Sequence, residues 1–326
     1  MSTAADSLRA GATVRVGLAQ FAPVWLQRQA SMEKLLGIID QAAAEQVQIL
    51  ATAEAWLPGY PFWLSFTHAS RFEDAVQKQL HAHYLAQAVC IEAGDLQPLC
   101  QAAARHHMAQ VIGIMERPRD RAGHTLYASR VCIDASGEIV SVHRKLVPTY
   151  EERLAWGSGD GHGLVVHDWF GFTVSALNCW ENWMPLARQA LYAQGANLHF
   201  ALWPGSASNT SDSTRFIARE GRQYVVSVAS VLRVGDIGMA LPHAQLLRDQ
   251  APEVLADGGS CVAGPDGQWL LPPQTGSEQL LVQEVCLQQV LEERQNFDPS
   301  GHYARPDVFA LQVNRQRQQL LRFAPD

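Results

Sequence analysis

The sequence predicts an α/β protein in which helices cover a β-sheet. Apolar runs of strand length alternate with segments of helical periodicity near the start of the chain, and the alternation returns between residues 172 and 230. Between these halves, strands follow one another without a helix, and Asp134-Ala-Ser-Gly137 is typical of a hairpin turn. We therefore expect a β-α-β framework that antiparallel pairs interrupt.

The first half of the chain begins with a β-α-β unit. Residues 14–21 predict a strand that Pro23 ends, and residues 47–51 predict a second buried strand. Residues 31–44 predict the helix between them, because its apolar residues recur at the spacing of one helix face: Leu35, Ile38, Ile39 and Ala42. Residues 62–108 predict mostly helix, and three further strands are expected at 111–115, 126–133 and 138–144.

The second half repeats the alternation. Its predicted strands cover residues 164–169, 172–177, 196–202 and 224–230, with a strand and tight turn at 259–267. Pro185 opens a helix at 186–193, a second helix carries Phe216, residues 206–213 predict a polar loop, and residues 234–258 predict an irregular segment. Residues 269–271 and 280–286 predict an antiparallel pair. No linker divides the chain, so we expect one domain over residues 1–326, with a polar segment at 1–12 and a tail at 310–326.

Composition narrows the function classes. The net charge is −7 and the isoelectric point is near 5.9, which argues against a nucleic-acid-binding surface. No apolar run approaches the ~20 residues that cross a membrane, and residues 1–12 lack the basic and apolar parts of a signal peptide. Six cysteines stand at wide, irregular gaps, which favours free thiols in a reducing cytoplasm over disulfides or a metal site.

A carboxylate follows the second buried strand. Glu54 precedes a segment in which Pro58, Gly59 and Pro61 predict a tight turn. A charge at the end of a buried strand is costly unless it has a partner or a function, and strand carboxyl ends are where α/β folds bind ligands. Glu54 is therefore a candidate functional residue, with a helix cap or a surface carboxylate as the alternative.

Two other strands are followed by a lysine and a cysteine. Lys145 follows residues 138–144 and precedes Pro148, a position that suits a fixed cation, although a single lysine is usually a solvated surface group. Cys179 follows residues 172–177 and precedes the helix at Pro185, which predicts a sharp elbow. The nearby helix N-terminus is expected to lower the pKa of this thiol, as in nucleophilic cysteines; a buried core cysteine is the alternative.

Glu54, Lys145 and Cys179 share one placement, after a buried strand and before a turn. If their strands lie in one sheet, the three side chains converge at one edge. Their chemistry is complementary, because a carboxylate can take the thiol proton and an ammonium can stabilise negative charge that develops on a substrate.

With these residues, the sequence resembles the nitrilase superfamily of carbon–nitrogen hydrolases over residues 14–309, whose catalytic set is Glu-Lys-Cys. Glu54 matches the family's catalytic glutamate, within Ala-Glu-Ala-Trp-Leu-Pro-Gly-Tyr-Pro. Lys145 matches the catalytic lysine, within Arg-Lys-Leu-Val-Pro-Thr, and Cys179 matches the catalytic cysteine, within Asn-Cys-Trp-Glu-Asn. Cys-Trp-Glu-Asn followed by Met-Pro-Leu-Ala-Arg resembles the nitrilase branch rather than the amidases, and Gly-His-Tyr-Ala-Arg-Pro-Asp-Val-Phe points the same way.

The resemblance implies a four-layer α-β-β-α sandwich that pairs into a homodimer. It also implies a second glutamate after the lysine; Glu152, directly before Arg153, matches it and Glu151 does not. Many nitrilases extend into spirals. This chain is shorter after Arg305-Pro-Asp than many microbial nitrilases, which argues against the extended spiral but not against the dimer; a higher spiral oligomer stays the alternative.

The implied reaction converts a small-molecule nitrile to a carboxylic acid and ammonia without a metal or organic cofactor. Glu54 takes the proton of Cys179, and the thiolate forms a thioimidate with the nitrile carbon. Lys145 and the backbone N–H of Trp180 stabilise the negative nitrogen, and two waters then release ammonia and the acid. Glu152 positions Lys145 or assists proton transfer.

The pocket and the substrate stay open at this stage. The residues that could line an aromatic-accepting pocket are equally compatible with packing: Tyr60, Trp63, His199, Trp203 and Pro204. Arylacetonitriles, aromatic nitriles and aliphatic dinitriles are all compatible substrates. The alternative functions are an amidase or carbamoylase of the same superfamily, and a non-catalytic, filament-forming or partner-binding relative that loss of any of the three residues would favour.

Overall fold

Two β-sheets lie at the centre of the computed structural model, which describes residues 11–321. The strands in this part of the chain are β1 (Thr13–Gln20), β2 (Ile49–Thr52), β3 (Ala109–Glu116), β4 (Tyr127–Ile133), β5 (Ile139–Arg144), β6 (His167–Trp169), β7 (Phe172–Asn178), β8 (Leu198–Leu202), β9 (Tyr224–Val228), β10 (Val231–Arg233), β11 (Val254–Ala263), β12 (Trp269–Thr275) and β13 (Gln279–Cys286). The α-helices are α1 (Arg28–Ala44), α2 (Trp63–Phe66), α3 (Ala75–Gln87), α4 (Gln97–His106), α5 (Pro185–Tyr192), α6 (Ala207–Gly221), α7 (Ala244–Gln250) and α8 (Leu287–Arg294).

The strands form two sheets with parallel centres and antiparallel edges. The first sheet has the order β13-β1-β2-β3-β4-β5, and the second has the order β10-β11-β9-β8-β7-β6, with β12 paired to β11. Strands β1, β2 and β3 are mutually parallel, as are β7, β8 and β9. The predicted β-α-β framework with antiparallel interruptions is confirmed, including the hairpin that joins β4 to β5.

The sheets pack face to face through apolar side chains. This inter-sheet core includes Val14, Val16 and Leu18 of β1 together with Leu198 and Phe200 of β8. Helices α1 and α4 cover the outer face of the first sheet, and α5 and α6 cover the outer face of the second. Both sheets are therefore buried on two sides, which explains their nearly continuous apolar strands. The four-layer α-β-β-α sandwich is confirmed.

One predicted loop is helical. Residues 206–213 contain the N-cap and the first two turns of α6. The Ser206 hydroxyl accepts a hydrogen bond from the N–H of Ser208 (3.3 Å), and the Thr214 hydroxyl donates to the carbonyl of Thr210 (2.6 Å). Serine and threonine side chains favour loops because they bond to nearby backbone groups, and here they form such bonds within a helix. Residues 234–258, predicted to be irregular, likewise contain α7 and the first part of β11.

The predicted pairing of residues 269–271 with 280–286 is wrong. Strand β12 pairs with β11 in the second sheet, whereas β13 pairs with β1 in the first, with Leu281 opposite Leu18. The connection between β12 and β13 therefore crosses from one sheet to the other. A strand with this hydrophobic pattern can pack in either sheet, because both sheets bury an apolar face. The pattern of the strand alone therefore does not specify the sheet to which it pairs.

The structure tests the expectations about membrane spans and about the cysteines. No helix within residues 11–321 combines the length and the apolar character that a membrane span requires. The six cysteines are free thiols. The cytoplasmic location and the single domain stay predictions. Most of the predicted N-terminal segment (residues 1–10) and the end of the predicted tail (residues 322–326) lie outside the described residues.

Candidate active site

Glu54, Lys145 and Cys179 converge at one edge of the sandwich. Glu54 follows β2 and Lys145 follows β5, both in the first sheet, whereas Cys179 follows β7 in the second. The expectation of a single sheet is therefore wrong. The side chains still meet, because the two sheets stack with the carboxyl ends of these strands at a common edge. The backbone N–H of Glu54 also donates to the carbonyl of Trp203, directly after β8 (3.2 Å), which joins the two sheets here.

The Lys145 ammonium lies between two carboxylates. Its Nζ is 2.8 Å from Oε1 of Glu54 and 2.6 Å from Oε2 of Glu152. One carboxylate oxygen from each glutamate and the Cys179 sulfur all lie within 4.8 Å of one another. Each of the four side chains is buried. The cluster therefore brings a thiol, two carboxyl groups and a fixed cation into one desolvated volume, an arrangement that suits nucleophilic catalysis.

Two carboxylates and a thiol are also suitable metal donors. In this cluster the Lys145 ammonium is within 2.8 Å of a carboxylate oxygen on each side. Its positive charge opposes a metal cation at that place, since like charges repel strongly in a desolvated site. An organic cation thus already pairs with both carboxylates of the donor set.

Glu152 is placed by a local turn. Residues Tyr150–Leu154 form a single 3-10 turn that Thr149 caps, and the Glu152 carboxylate accepts the backbone N–H of Thr149 (2.6 Å). Its other oxygen accepts the hydroxyl of Tyr60 (2.7 Å). These bonds direct Glu152 toward Lys145, which is the arrangement that the resemblance implied.

Burial governs the charges of the cluster. Desolvation raises the pKa of Glu54 to about 8, and the neighbouring Glu152 adds to this while Lys145 opposes it. Burial lowers the pKa of Lys145, but the negative charges that Cys179, Glu54 and Glu152 carry when they are ionised outweigh that effect and hold the pKa above its usual value. Lys145 is therefore a permanent cation at neutral pH.

The expectation of a lowered pKa for Cys179 is wrong. Burial raises the pKa of this thiol well above its usual value, and Glu54 raises it further; Lys145 and the backbone N–H of Trp180 act in the opposite direction. Cys179 begins a short 3-10 turn, Cys179–Trp183, and the α-helix starts only at Pro185. The dipole of α5 is thus too far away to offset desolvation. In the resting site the thiol keeps its proton.

The predicted elbow is confirmed. Cys179 has a φ of 47°, in the left-handed region that costs a non-glycine residue about 1–3 kcal/mol. The Asn182 side-chain NH₂ supports the turn by donating to the carbonyl of Cys179 (2.9 Å), and His199 Nε2 lies 2.8 Å from Oδ1 of Asn182. His199 is buried beneath the elbow, and desolvation lowers its pKa to about 3, so it acts as a neutral support for the turn.

The predicted pocket residues differ in their surroundings. Tyr60 faces the cluster through its bond to Glu152. Trp203 is fully buried beside Cys179, and its indole N–H donates to Ser227 (3.3 Å); Pro204, the next residue, is partly buried. The Trp180 side chain is half exposed, although its backbone N–H lies at the thiol. Trp63 is fully buried in a different apolar cluster.

Sequence reasoning assigned no role to three side chains near the cluster. The ring of Trp156 lies 5.6 Å from Nζ of Lys145 and packs edge-on against Tyr60. Glu181 and His143 form a fully buried pair, with Nε2 of His143 3.0 Å from Oε1 of Glu181. Glu181 lies two residues from Cys179, so its proximity was readable from the sequence, but its partner is 38 residues away in the chain.

Comparison with known proteins identifies the family. A family model described as carbon-nitrogen hydrolase matches residues 15–295. The chain belongs to the carbon–nitrogen hydrolase family. Its match covers β1 to the end of α8, and the resemblance drawn from the Glu54, Lys145 and Cys179 motifs is confirmed.

Individual carbon–nitrogen hydrolases resemble the chain in sequence and in fold. A protein named Nitrilase 2, from an unknown prokaryotic organism, is 37% identical over 305 residues and covers 93% of each chain. An aliphatic nitrilase of Rhodococcus rhodochrous is 33% identical over 318 residues, covering 92% of this chain and 79% of that one. The crystal structure of a carbon-nitrogen hydrolase from Helicobacter pylori G27 superposes with a TM-score of 0.68 at 18% identity, over 90% of this chain and 96% of that one.

Proposed function

We propose that this carbon–nitrogen hydrolase is a nitrilase that converts an organic nitrile to a carboxylic acid and ammonia. The observation that carries the proposal is the buried cluster in which Lys145 pairs with Glu54 and Glu152 beside Cys179. Relatives that align with nearly the whole chain and are named nitrilases support the same assignment.

In the first half of the reaction, Cys179 attacks the nitrile carbon. The Glu54 carboxylate takes the thiol proton as the sulfur–carbon bond forms, and the π electrons move onto the nitrogen. Lys145 and the N–H of Trp180 stabilise that negative nitrogen, which then takes up the proton to give a thioimidate. Because burial raises the pKa of both Glu54 and Cys179, the proton passes between two desolvated groups without first ionising the thiol in the resting site.

In the second half, water releases both products. Glu54 activates a water molecule that adds to the thioimidate carbon, the carbon–nitrogen bond breaks, and ammonia leaves with a proton from the carboxyl. A second water hydrolyses the resulting thioester, which frees the carboxylic acid and restores the Cys179 thiol. Throughout, Glu152 holds the ammonium of Lys145 in place through its 2.6 Å ion pair.

The test is ammonia release from three nitrile classes, an arylacetonitrile, an aromatic nitrile and an aliphatic dinitrile, each measured beside its matching amide. We expect ammonia from at least one nitrile, and none from it after Cys179→Ala. Cys100→Ala is the matched control, because Cys100 lies in α4 of the outer layer, away from the cluster. The control is expected to keep wild-type turnover.

The same assay separates the alternative functions. Ammonia from the amides but from no nitrile would identify an amidase of the same superfamily, which uses the same nucleophile, base and cation. Turnover that survives Cys179→Ala would remove Cys179 as the nucleophile. Absence of ammonia from every substrate would favour a non-catalytic relative.

A further inference from the structure

Glu181 joins the segments that carry Lys145 and Cys179. Its Oε1 accepts the backbone N–H of Leu146 (2.5 Å), and its Oε2 accepts the backbone N–H of Asn178 (3.0 Å). Leu146 directly follows Lys145, and Asn178 directly precedes Cys179. One carboxylate therefore bridges the first sheet and the second at the two residues next to the reacting groups.

The bridge is buried, and its carboxylate is ionised. The side chains of Glu181 and His143 are both fully inaccessible, and Nε2 of His143 lies 3.0 Å from Oε1 of Glu181. Burial raises the pKa of Glu181, but His143 and the two backbone N–H groups outweigh that effect and hold the pKa below its usual value. An ionised carboxylate is an acceptor only, so it matches these donors.

The other backbone bonds of Lys145 do not reach the elbow. Its N–H donates to the carbonyl of Ala128 in β4 (2.8 Å), and its carbonyl accepts the N–H of Gly159 (2.7 Å). These contacts fix Lys145 within its own sheet and the loop beside it. The separation between Lys145 and Cys179 depends instead on what connects the two sheets at this edge.

We propose that Glu181 is a positioning residue that sets the distance between the Lys145 ammonium and the Cys179 thiol. The inference rests on the proposed function, since it assigns Glu181 to the same reaction. Glu181 is buried within the turn Cys179–Trp183, and its carboxylate accepts the two backbone N–H groups described above. A displacement of about 1 Å in a reacting group can slow catalysis by about 100-fold, so a loosened bridge is expected to be costly.

The decisive variant is Glu181→Gln, which keeps the size of the side chain but turns an amide NH₂ toward groups that are themselves donors. We expect kcat on the preferred nitrile to fall by about 10- to 100-fold while KM changes by less than about twofold. Glu181→Asp keeps the charge but is one methylene shorter. Its kcat is expected to lie between those of the wild type and Glu181→Gln. It also provides the measurement if Glu181→Gln does not fold.

Tyr224→Phe is the matched control for a purely structural effect. The Tyr224 hydroxyl also links the two sheets, by donating to the carbonyl of Cys286 (2.9 Å), but it lies at the opposite end of the parallel strands. We expect a lower Tm with unchanged kcat. If Glu181→Gln keeps wild-type kcat, or loses no more than Tyr224→Phe, the positioning role is overturned.

A second readout separates this inference from the proposed function. The rate at which iodoacetamide alkylates Cys179, followed on the modified peptide by mass spectrometry, depends on the thiol and its neighbours but on no particular substrate. We expect Glu181→Gln to change this rate by at least about threefold, and Tyr224→Phe to leave it unchanged. A chain that hydrolyses no nitrile but shows this difference would contradict the nitrilase assignment and keep the positioning role. Equal alkylation rates in Glu181→Gln and wild type would contradict the positioning role itself.

Discussion

The Glu54 carboxyl lies in a fully buried site where two carboxylates share one ammonium. Desolvation and the charge of Glu152 raise its pKa to about 8, against 4.5 for an unperturbed glutamate. At neutral pH most molecules therefore hold Glu54 as the neutral acid. A general base must be ionised, so the active fraction depends on pH near this value.

We expect kcat/KM for the preferred nitrile to rise with pH and to level off above about 8. In the proposed mechanism, Glu54 cannot take a proton from Cys179 below its own pKa, because it already holds one, whereas above that pKa the carboxylate is free to act. The measurement is initial ammonia release between about pH 6 and 9.5. A flat profile through this range would argue that another group limits the rate.

Stability provides an independent check on the same group. A carboxyl whose pKa is raised in the folded state contributes stability below its unfolded pKa and loses that contribution as the pH rises toward its folded pKa. Glu54→Gln does not titrate, so its Tm relative to wild type is expected to increase from about pH 5 to about pH 8 and then to stay constant. A pH-independent difference would show that Glu54 titrates normally.

At the scale of elements, a close approach of β3 places the segment that carries Glu54. The N–H of Gly113 in β3 donates to the hydroxyl of Thr52 (3.0 Å), and its carbonyl accepts the N–H of Leu57 (3.1 Å). A Cβ at Gly113 would lie 2.0 Å from the carbonyl oxygen of Ala53. Only glycine allows the two backbones to come this close, so the position of Glu54 depends on it.

We therefore expect Gly113→Ala to lower both the Tm and kcat, the latter by at least about 10-fold, because the segment around Glu54 must shift to admit a methyl group. Gly37→Ala is the matched control: Gly37 is exposed in α1, and a Cβ there meets no atom within 4 Å. It is expected to stabilise the protein by about 0.5–1 kcal/mol and to leave kcat unchanged. Wild-type kcat in Gly113→Ala would contradict this account.

At the scale of the whole molecule, the residues after 310 pack against the loop beside the cluster. Asp160 accepts the backbone N–H of Gln318 (2.9 Å) and pairs with Arg317 (3.1 Å). The neighbouring Gly159 donates to the carbonyl of Lys145 (2.7 Å). The described part of the predicted tail is thus connected to the site through this loop, and Arg317 also donates to the carbonyl of Val142 in β5 (3.0 Å).

The outer face formed by α5, α6 and the turn before them is unusually apolar. Leu186 is 67% exposed, Phe216 is 49% exposed and Trp183 is 39% exposed, and the last two rings stack on each other (6.3 Å). Adjacent exposed apolar side chains are typical of interaction surfaces. We propose this face as the contact of the expected homodimer.

If the expected homodimer uses this face, Leu186→Glu will give a monomer, because it places a charge within that apolar face. Light scattering coupled to size-exclusion chromatography measures the mass directly. Phe72→Glu is the control, since Phe72 is 91% exposed and lies outside that face. An unchanged mass for Leu186→Glu, or a wild-type protein that is already monomeric, would reject this surface.

Residue type and local spacing were enough to identify much of the protein. The strand patterns, the elbow at Cys179, and the placement of Glu54 and Lys145 after strands are all properties of short segments, and the structure has them where they were expected. Glu152 also followed from its local motif. Each of these features depends on neighbours along the chain.

Packing between distant segments settled the rest. Which sheet receives β7 or β13, the Glu181–His143 pair, and the approach of Trp156 to Lys145 all join residues that are far apart or lie in different layers. Packing also decided the charge states. The pKa of Cys179 is raised rather than lowered, because desolvation depends on all the groups that surround the thiol in space. A sequence motif contains only the residues that precede and follow it in the chain.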